Sequence, residues 1–172
     1  MPQDAEPRQL SDFLRRLRAV REFRPGPLPD DVVQDILEVA RWSGSASNRQ
    51  SAEIVVVRDR ELLKRLASLH GYLGHLAGAA LGMILVLPGE WPEGDAFDEG
   101  RLAERIMLAA AAHGVGGSIG WFVQSGREDA KRVLGVPPNK LVRTAISLGY
   151  PARELRRGAR KPLSQIVHED RY

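Results

Sequence analysis

Arg18 and Arg21 stand three residues apart in the run Arg18-Ala19-Val20-Arg21-Glu22-Phe23. The chemistry open to such a pair is anion binding, because guanidinium forks match phosphate oxygens in shape as well as in charge. Ahead of them Leu10, Phe13, Leu14 and Leu17 recur at helical spacing over residues 10–19. The pair is therefore expected at the end of a first helix, where residues three apart share a face. A solvated helix face would present the same two residues. A second basic cluster, Arg157-Gly158-Ala159-Arg160-Lys161-Pro162, lies near the C-terminus. A doubly charged phosphate would use two such clusters; an ordinary solvated tail would also contain one.

Two further segments have the composition of a ligand cradle. Gly44-Ser45-Ala46-Ser47-Asn48-Arg49-Gln50 is small and polar. Amides such as those of Asn48 and Gln50 present a donor and an acceptor together, which suits the pyrimidine edge of a flavin. An exposed turn would read the same way. His113-Gly114-Val115-Gly116-Gly117-Ser118, followed by Gly120, would let a flat ring approach the backbone. Helix termination by glycine is the plainer reading. These glycines follow a helix and precede a strand, the reverse of a dinucleotide fingerprint.

Composition excludes several classes. Cysteine is absent and there are four histidines without a cluster at ligand spacing, so thiol chemistry, disulfides and a catalytic metal are not expected. The formal charge is +3, but the arginines are scattered among acidic neighbours and form no stripe interleaved with aromatics. This suits a small phosphorylated ligand better than nucleic acid. No segment has the length and apolarity of a signal peptide or a membrane span, and a cytoplasmic location is expected.

The elements that must position these residues alternate between helices and buried strands. A Pro/Gly connection at 24–29 leads into a second helix opening at Pro29-Asp30-Asp31, with Val32, Val33, Ile36, Leu37, Val39 and Ala40 on its core face. Strands are expected at 54–57, 83–87, 118–123 and 141–148, and helices at 59–69, 98–113 and 128–134. The alanine-rich helix 98–113, apolar on more than one side, reads as central. Residues 88–97, with Trp91 among prolines and glycines, form the longest loop, and an aromatic there would bound an acceptor site. The 172 residues fit one domain, 1–172, with residues 1–9 frayed, or one subunit of an oligomer.

In their order along the chain, these segments together resemble the FMN-dependent nitroreductase family. The resemblance is carried by Arg18-x-x-Arg21-x-Phe23, the helix ending at Trp42, and the Ser45-Ala46-x-Asn48-x-Gln50 loop running into Ile54-Val55-Val56-Val57. It continues through the Gly-Val-Gly-Gly end of the alanine-rich helix, Leu148-Gly149-Tyr150-Pro151 and Arg160-Lys161-Pro162-Leu163.

The resemblance implies an α+β fold with a central mixed sheet flanked by helices, and an intertwined homodimer with FMN between subunits. It places Arg18, Ala19, Arg21, Arg160 and Lys161 around the phosphate and ribityl end, with Arg21 near the ring's N1 side. Ser45, Asn48 and Gln50 would meet the ribityl–isoalloxazine region, and the backbone at Gly116, Gly117 and Gly120 would line the ring. The implied activity carries reducing equivalents from NADH or NADPH through FMN to a nitro-aromatic, quinone or similar small-molecule acceptor, with ping-pong kinetics. The flavin carries that chemistry, so no side chain is assigned a catalytic role.

The chain departs from the family pattern at Leu17 and Ala19, where arginine and serine are usual, and at Ser51-Ala52, where Pro-Trp is usual. It is also on the short side for the family. Alternatives are a flavin-binding protein without turnover, a family member specialised for flavin cleavage or reductive dehalogenation, and, most remotely, a nucleic-acid binder.

Overall fold

In a computed structural model, residues 7–154 and 158–172 are described. The residues expected to fray therefore fall mostly outside the described part, as does Arg157. Helix α1 spans Pro7–Arg16, α2 Asp30–Arg41, α3 Arg60–Ala67, α4 Pro92–Ala112 and α5 Ser125–Leu134; strands β1 Glu53–Val57, β2 Leu81–Leu87, β3 Gly116–Trp121 and β4 Leu141–Gly149 build one sheet.

The strand order is β1-β2-β4-β3, and each neighbouring pair is antiparallel. The expected α+β class holds. The sheet is mixed only through an isolated parallel bridge between Ala19 and Gly117 beside β3. Leu81–Leu87 is an unbroken apolar run, and every residue of β2 is buried, as a strand covered on both faces requires. β1 carries a similar Ile-Val-Val-Val run but lies at the sheet edge, where only Val57 is fully buried.

Alternation along the strands divides the core in two. Leu81, Met83, Leu85, Ile146 and Leu148 face α2 and α4, packing on Ile36, Ala40, Leu102, Ile106 and Ala110. Ile84, Val86, Val142 and Ala145 face the other way, onto Leu63, Leu66, Leu73, Leu76 and Phe122.

Two expected boundaries shift. The loop at 88–97 shrinks, because α4 already begins at Pro92. Proline suits the first helical turn, where its missing N–H costs nothing. The carboxylate of Asp95 accepts the Gly89 N–H at 2.9 Å and fixes the entry. The first helix, expected to reach Ala19, ends at Arg16. Beyond it the chain is drawn out, because the Val20 N–H donates to the Gly117 carbonyl at 2.7 Å.

Candidate functional site

Arg18 and Arg21 consequently do not share a helix face. They lie on an extended segment, where alternate side chains point to opposite sides. Val20 is buried and Arg18 half-buried, while Ala19 and Arg21 are exposed. The Arg18 Nη1 donates to the carbonyls of Arg15 and Leu17 at 2.8 and 2.5 Å, closing the last turn of α1. Its Nε is buried without a partner.

Arg18 lines two adjoining openings. One, of about 400 Å³, runs from Phe13 and Arg16–Val20 to Glu104, Met107, Ala111 and Gly114–Gly117. The other, of about 480 Å³, is lined by Leu14, Arg15, Leu17, Arg18 and Arg160. Both volumes fall in the range of small-molecule sites. The fold thus brings Arg160 to Arg18 across 142 residues of sequence, joining the two basic clusters. Lys161 is exposed beside Arg160 in the chain.

The family-like segments at the two ends of the chain are joined in the same region. Phe23 bridges Pro151, and a Cβ on Gly149 would meet the Phe23 ring at 2.9 Å. Arg24 lies 5.7 Å from the ring centroid of Tyr150.

The glycines divide by role. Gly114 is left-handed at φ 69° and ends α4. In β3, however, protein atoms occupy the space that side chains at Gly116, Gly117 and Gly120 would fill. These are Val20 at 2.5 Å, Leu148 and Met107 at 2.8 Å, and the Tyr72 carbonyl at 2.5 Å. The glycines therefore bring neighbouring segments onto β3. What β3 presents outward is its edge. The Val20 N–H reaches the Gly117 carbonyl and the Tyr72 N–H reaches the Trp121 carbonyl at 2.8 Å. Ladder alternation turns the backbone of Ile119, between them, toward that same edge.

Three polar groups lie beneath this edge, of which the sequence reading named Ser118 in its glycine segment and missed His75 and Ser147. His75 Nδ1 bonds Ser147 Oγ at 2.7 Å, and Ser147 Oγ donates to the Ser118 carbonyl at 3.3 Å. His75 Nε2 and Ser118 Oγ are buried and unpartnered. Burial, then the nearby Arg21 charge, push the His75 imidazole below its usual range. A lone histidine and two strand serines carry no motif, and only the fold unites them.

The residues present fit an FMN-sized anion with a planar head. An arginine pair faces a common cavity, a strand edge lies beyond it, and the buried Arg18 Nε lacks a partner, a costly arrangement unless something satisfies it.

The amide loop lies elsewhere. Ser45, Gln50, Ser51 and Ala52 line a separate opening of about 290 Å³ with Ile54, Asp98 and Leu102. Asp98 anchors this loop from the first half of α4, whereas Glu104, Met107 and Ala111 of that helix line the Arg18 opening. Along α4, Asp98 stands six positions before Glu104 and thirteen before Ala111, a rise of about 9 to 20 Å at 1.5 Å per residue. The two openings are distinct in one chain, although Leu102 and Glu104, close together on α4, line one each. Trp91 is half-exposed at the start of α4, packed on Gly94 and 5.9 Å from the Arg49 guanidinium, so it sits by the amide loop and not on a long flap.

Residues 14–73 match the nitroreductase family. A protein of Archaeoglobus fulgidus provisionally named NADH dehydrogenase/NAD(P)H nitroreductase is 30% identical over 147 residues, covering 80% of this chain and 82% of its own. The chain belongs to the nitroreductase family. Its fold is that of an FMN-dependent nitroreductase from Clostridium difficile, with TM-score 0.82 at 23% identity over 93% of this chain and 98% of that one. The NADPH:FMN oxidoreductase of Vibrio harveyi complexed with NAD+ superposes with TM-score 0.83 at 25% identity, covering 94% and 77%. Among the described residues no helix is long and apolar enough to cross a membrane.

Proposed function

We propose that this nitroreductase-family protein is an FMN-dependent NAD(P)H oxidoreductase whose sites are completed between two copies of the chain. The observation that carries the reading is Arg18, with a buried, unpartnered Nε, in a cavity shared with Arg160 at the foot of the open β3 edge.

Arg18, Arg160 and Lys161 hold the phosphate, with the Ala19 backbone alongside. Arg21 lies toward the ring and favours the negative charge that accumulates on reduction. The backbone from Gly116 through Gly117 to Gly120 runs along the ring, and the neutral His75 adds no second positive charge beneath it. Bound FMN would take a hydride from NADH or NADPH and pass reducing equivalents to a nitro-aromatic, quinone or similar acceptor.

Ser45, Asn48 and Gln50 serve the site of the other copy, since Ser45 and Gln50 line an opening distinct from that of Arg18 in their own chain. A homodimer also accounts for the apolar surface. Phe97 on α4, and Ile119 and Trp121 on β3, are exposed, as are Leu163, Ile166 and Val167 of the C-terminal arm. A patch of this kind marks an interaction surface. Trp91, beside the amide loop, bounds the acceptor.

The test is purification followed by absorbance and mass spectrometry of the released cofactor, sedimentation, and stopped-flow reduction by NADH and NADPH. FMN on a dimer burying more than about 2,000 Å², reduced by nicotinamide and reoxidised by acceptor, is expected. Recovery of FAD alone, or a flavin-loaded monomer, would overturn the reading; bound FMN inert to nicotinamide would leave a flavin carrier.

A further inference from the structure

Three residues in the short amide loop adopt left-handed backbone without being glycine: Ser47 at φ 49°, Asn48 at φ 54° and Gln50 at φ 49°. Such conformations are unfavourable for residues with side chains and persist only where the surroundings over-determine them. Here the surroundings are few. The side chains of Asn48 and Gln50 are exposed, so packing does not hold the loop in shape.

Besides its own turn bonds, from the Asn48 N–H to the Ser45 carbonyl and from the Arg49 N–H to the Ala46 carbonyl, both at 3.1 Å, two carboxylate contacts and one hydroxyl do. Both oxygens of Asp98 accept the Ala46 N–H, at 3.2 and 3.0 Å. The Ser45 hydroxyl accepts the Gln50 N–H at 2.9 Å, closing the loop on itself. Among the described residues Asp98 is the outside group hydrogen-bonded to the loop backbone, while Arg49 reaches Glu90 at 3.8 Å and Trp91 at 5.9 Å through its side chain. The Asp98 side chain is only 12% exposed and pairs at 3.9 Å with Arg101 one turn along α4. The Arg101 guanidinium in turn lies over Gly44, where a Cβ would stand 2.0 Å from Nη2.

We infer that Asp98 is a positioning residue for the cofactor site, locking the Ser45–Gln50 loop in its left-handed form before ligand arrives. The inference rests on the proposed role of Ser45 and Asn48 toward FMN. A loop already in its bound shape has no ordering entropy left to lose on binding. Releasing the anchor leaves every ligand-facing side chain in place but lets the backbone relax, and the affinity falls.

The test compares the parent dimer with Asp98→Ala, Asp98→Asn, Ala46→Pro and the Asp98→Ala/Ala46→Pro pair. Proline at 46 removes the N–H that Asp98 accepts. It suits the first position of a helical turn, and the extended Ser45 before it, at φ −130° and ψ 158°, is compatible with a following proline. Asp98→Ala is expected to raise the FMN dissociation constant about tenfold, the scale of one hydrogen bond to a charged group. Asp98→Asn, which keeps an acceptor, restores most of it.

If Asp98 acts through the Ala46 N–H, the double variant is no weaker than the weaker single one. Hydrogen exchange in the flavin-free protein should show loop amides opening faster in Asp98→Ala, with the amides of β2 and β4 unchanged. Parent-like FMN affinity in Asp98→Ala, or losses that multiply in the double variant, would overturn the inference. Should Asp98→Ala fail to fold, parent-like affinity in Ala46→Pro overturns it equally. A parent protein that binds no FMN instead sinks the functional reading beneath it.

Discussion

Replacing Arg18 by alanine separates phosphate binding from support of the fold, since the structure gives this arginine both duties. Its Nη1 closes α1 through two backbone carbonyls, bonds worth about 0.5–1.5 kcal/mol each in net terms. Their loss costs the ligand-free protein at most about 1–3 kcal/mol, and relief of the unpartnered Nε offsets part of that. The bound state loses something different, a charge-assisted bond to phosphate worth about 1.5–3 kcal/mol. That is roughly one to two decades in dissociation constant.

The assay is fluorescence titration of ligand-free parent and variant with FMN and with riboflavin, which lacks the phosphate. FMN affinity is expected to fall by one to two decades, riboflavin affinity to stay nearly constant, and the parent's advantage for FMN to shrink as salt screens it. An equal loss for both ligands would mean that Arg18 acts through α1 alone, and the phosphate assignment would fall.

Trp91→Ala should change the KM for the acceptor while leaving FMN affinity nearly intact, because Trp91 touches Gly94 and lies by Arg49, away from the Arg18 cavity; loss of flavin would refute the placement. His75 governs a pH dependence of stability. Its pKa in the folded protein lies below the ordinary 6.5, so the unfolded chain binds the proton more readily. The stabilisation it gives is complete above about pH 6.5 and is lost as pH falls toward the lowered value. Urea midpoints at pH 7.5 and 5.5 should converge in His75→Gln relative to the parent, and an unaltered pH profile would remove His75 from the account.

The helices and strands were legible because their apolar periodicity answers to burial. Ile36 and Ala40 face the core as the spacing of α2 requires, and the continuous run of β2 is buried throughout. The two basic clusters were legible as residue types suited to phosphate, and the fold brings Arg18 and Arg160 to one opening. Local pattern failed where a distant strand intervened. The helical spacing ahead of Arg18 is real, but Gly117 takes the Val20 N–H, and that pairing draws the segment out. The glycines of β3 carry a second duty that the sequence does not show: Val20, Leu148 and Tyr72 fill the places their side chains would take.

His75 and Asp98 left no local signal because their significance is entirely one of placement. An isolated histidine gains meaning from a serine 72 positions away at 2.7 Å, and an aspartate in a helix from a backbone N–H 52 positions away at 3.0 Å. Such pairings are set when residues 74–78 pack on β4 and the loop after α2 packs on α4. A substitution at either position therefore acts through a partner that is invisible in the surrounding sequence. The α4 helix makes the same point at larger scale. Its alanine-rich pattern announces a buried helix, but not that one stretch of its 21 residues lines the amide-loop opening and the next stretch the Arg18 opening. That division, which no motif encodes, is the physical ground on which the site is proposed to be completed between two copies of the chain.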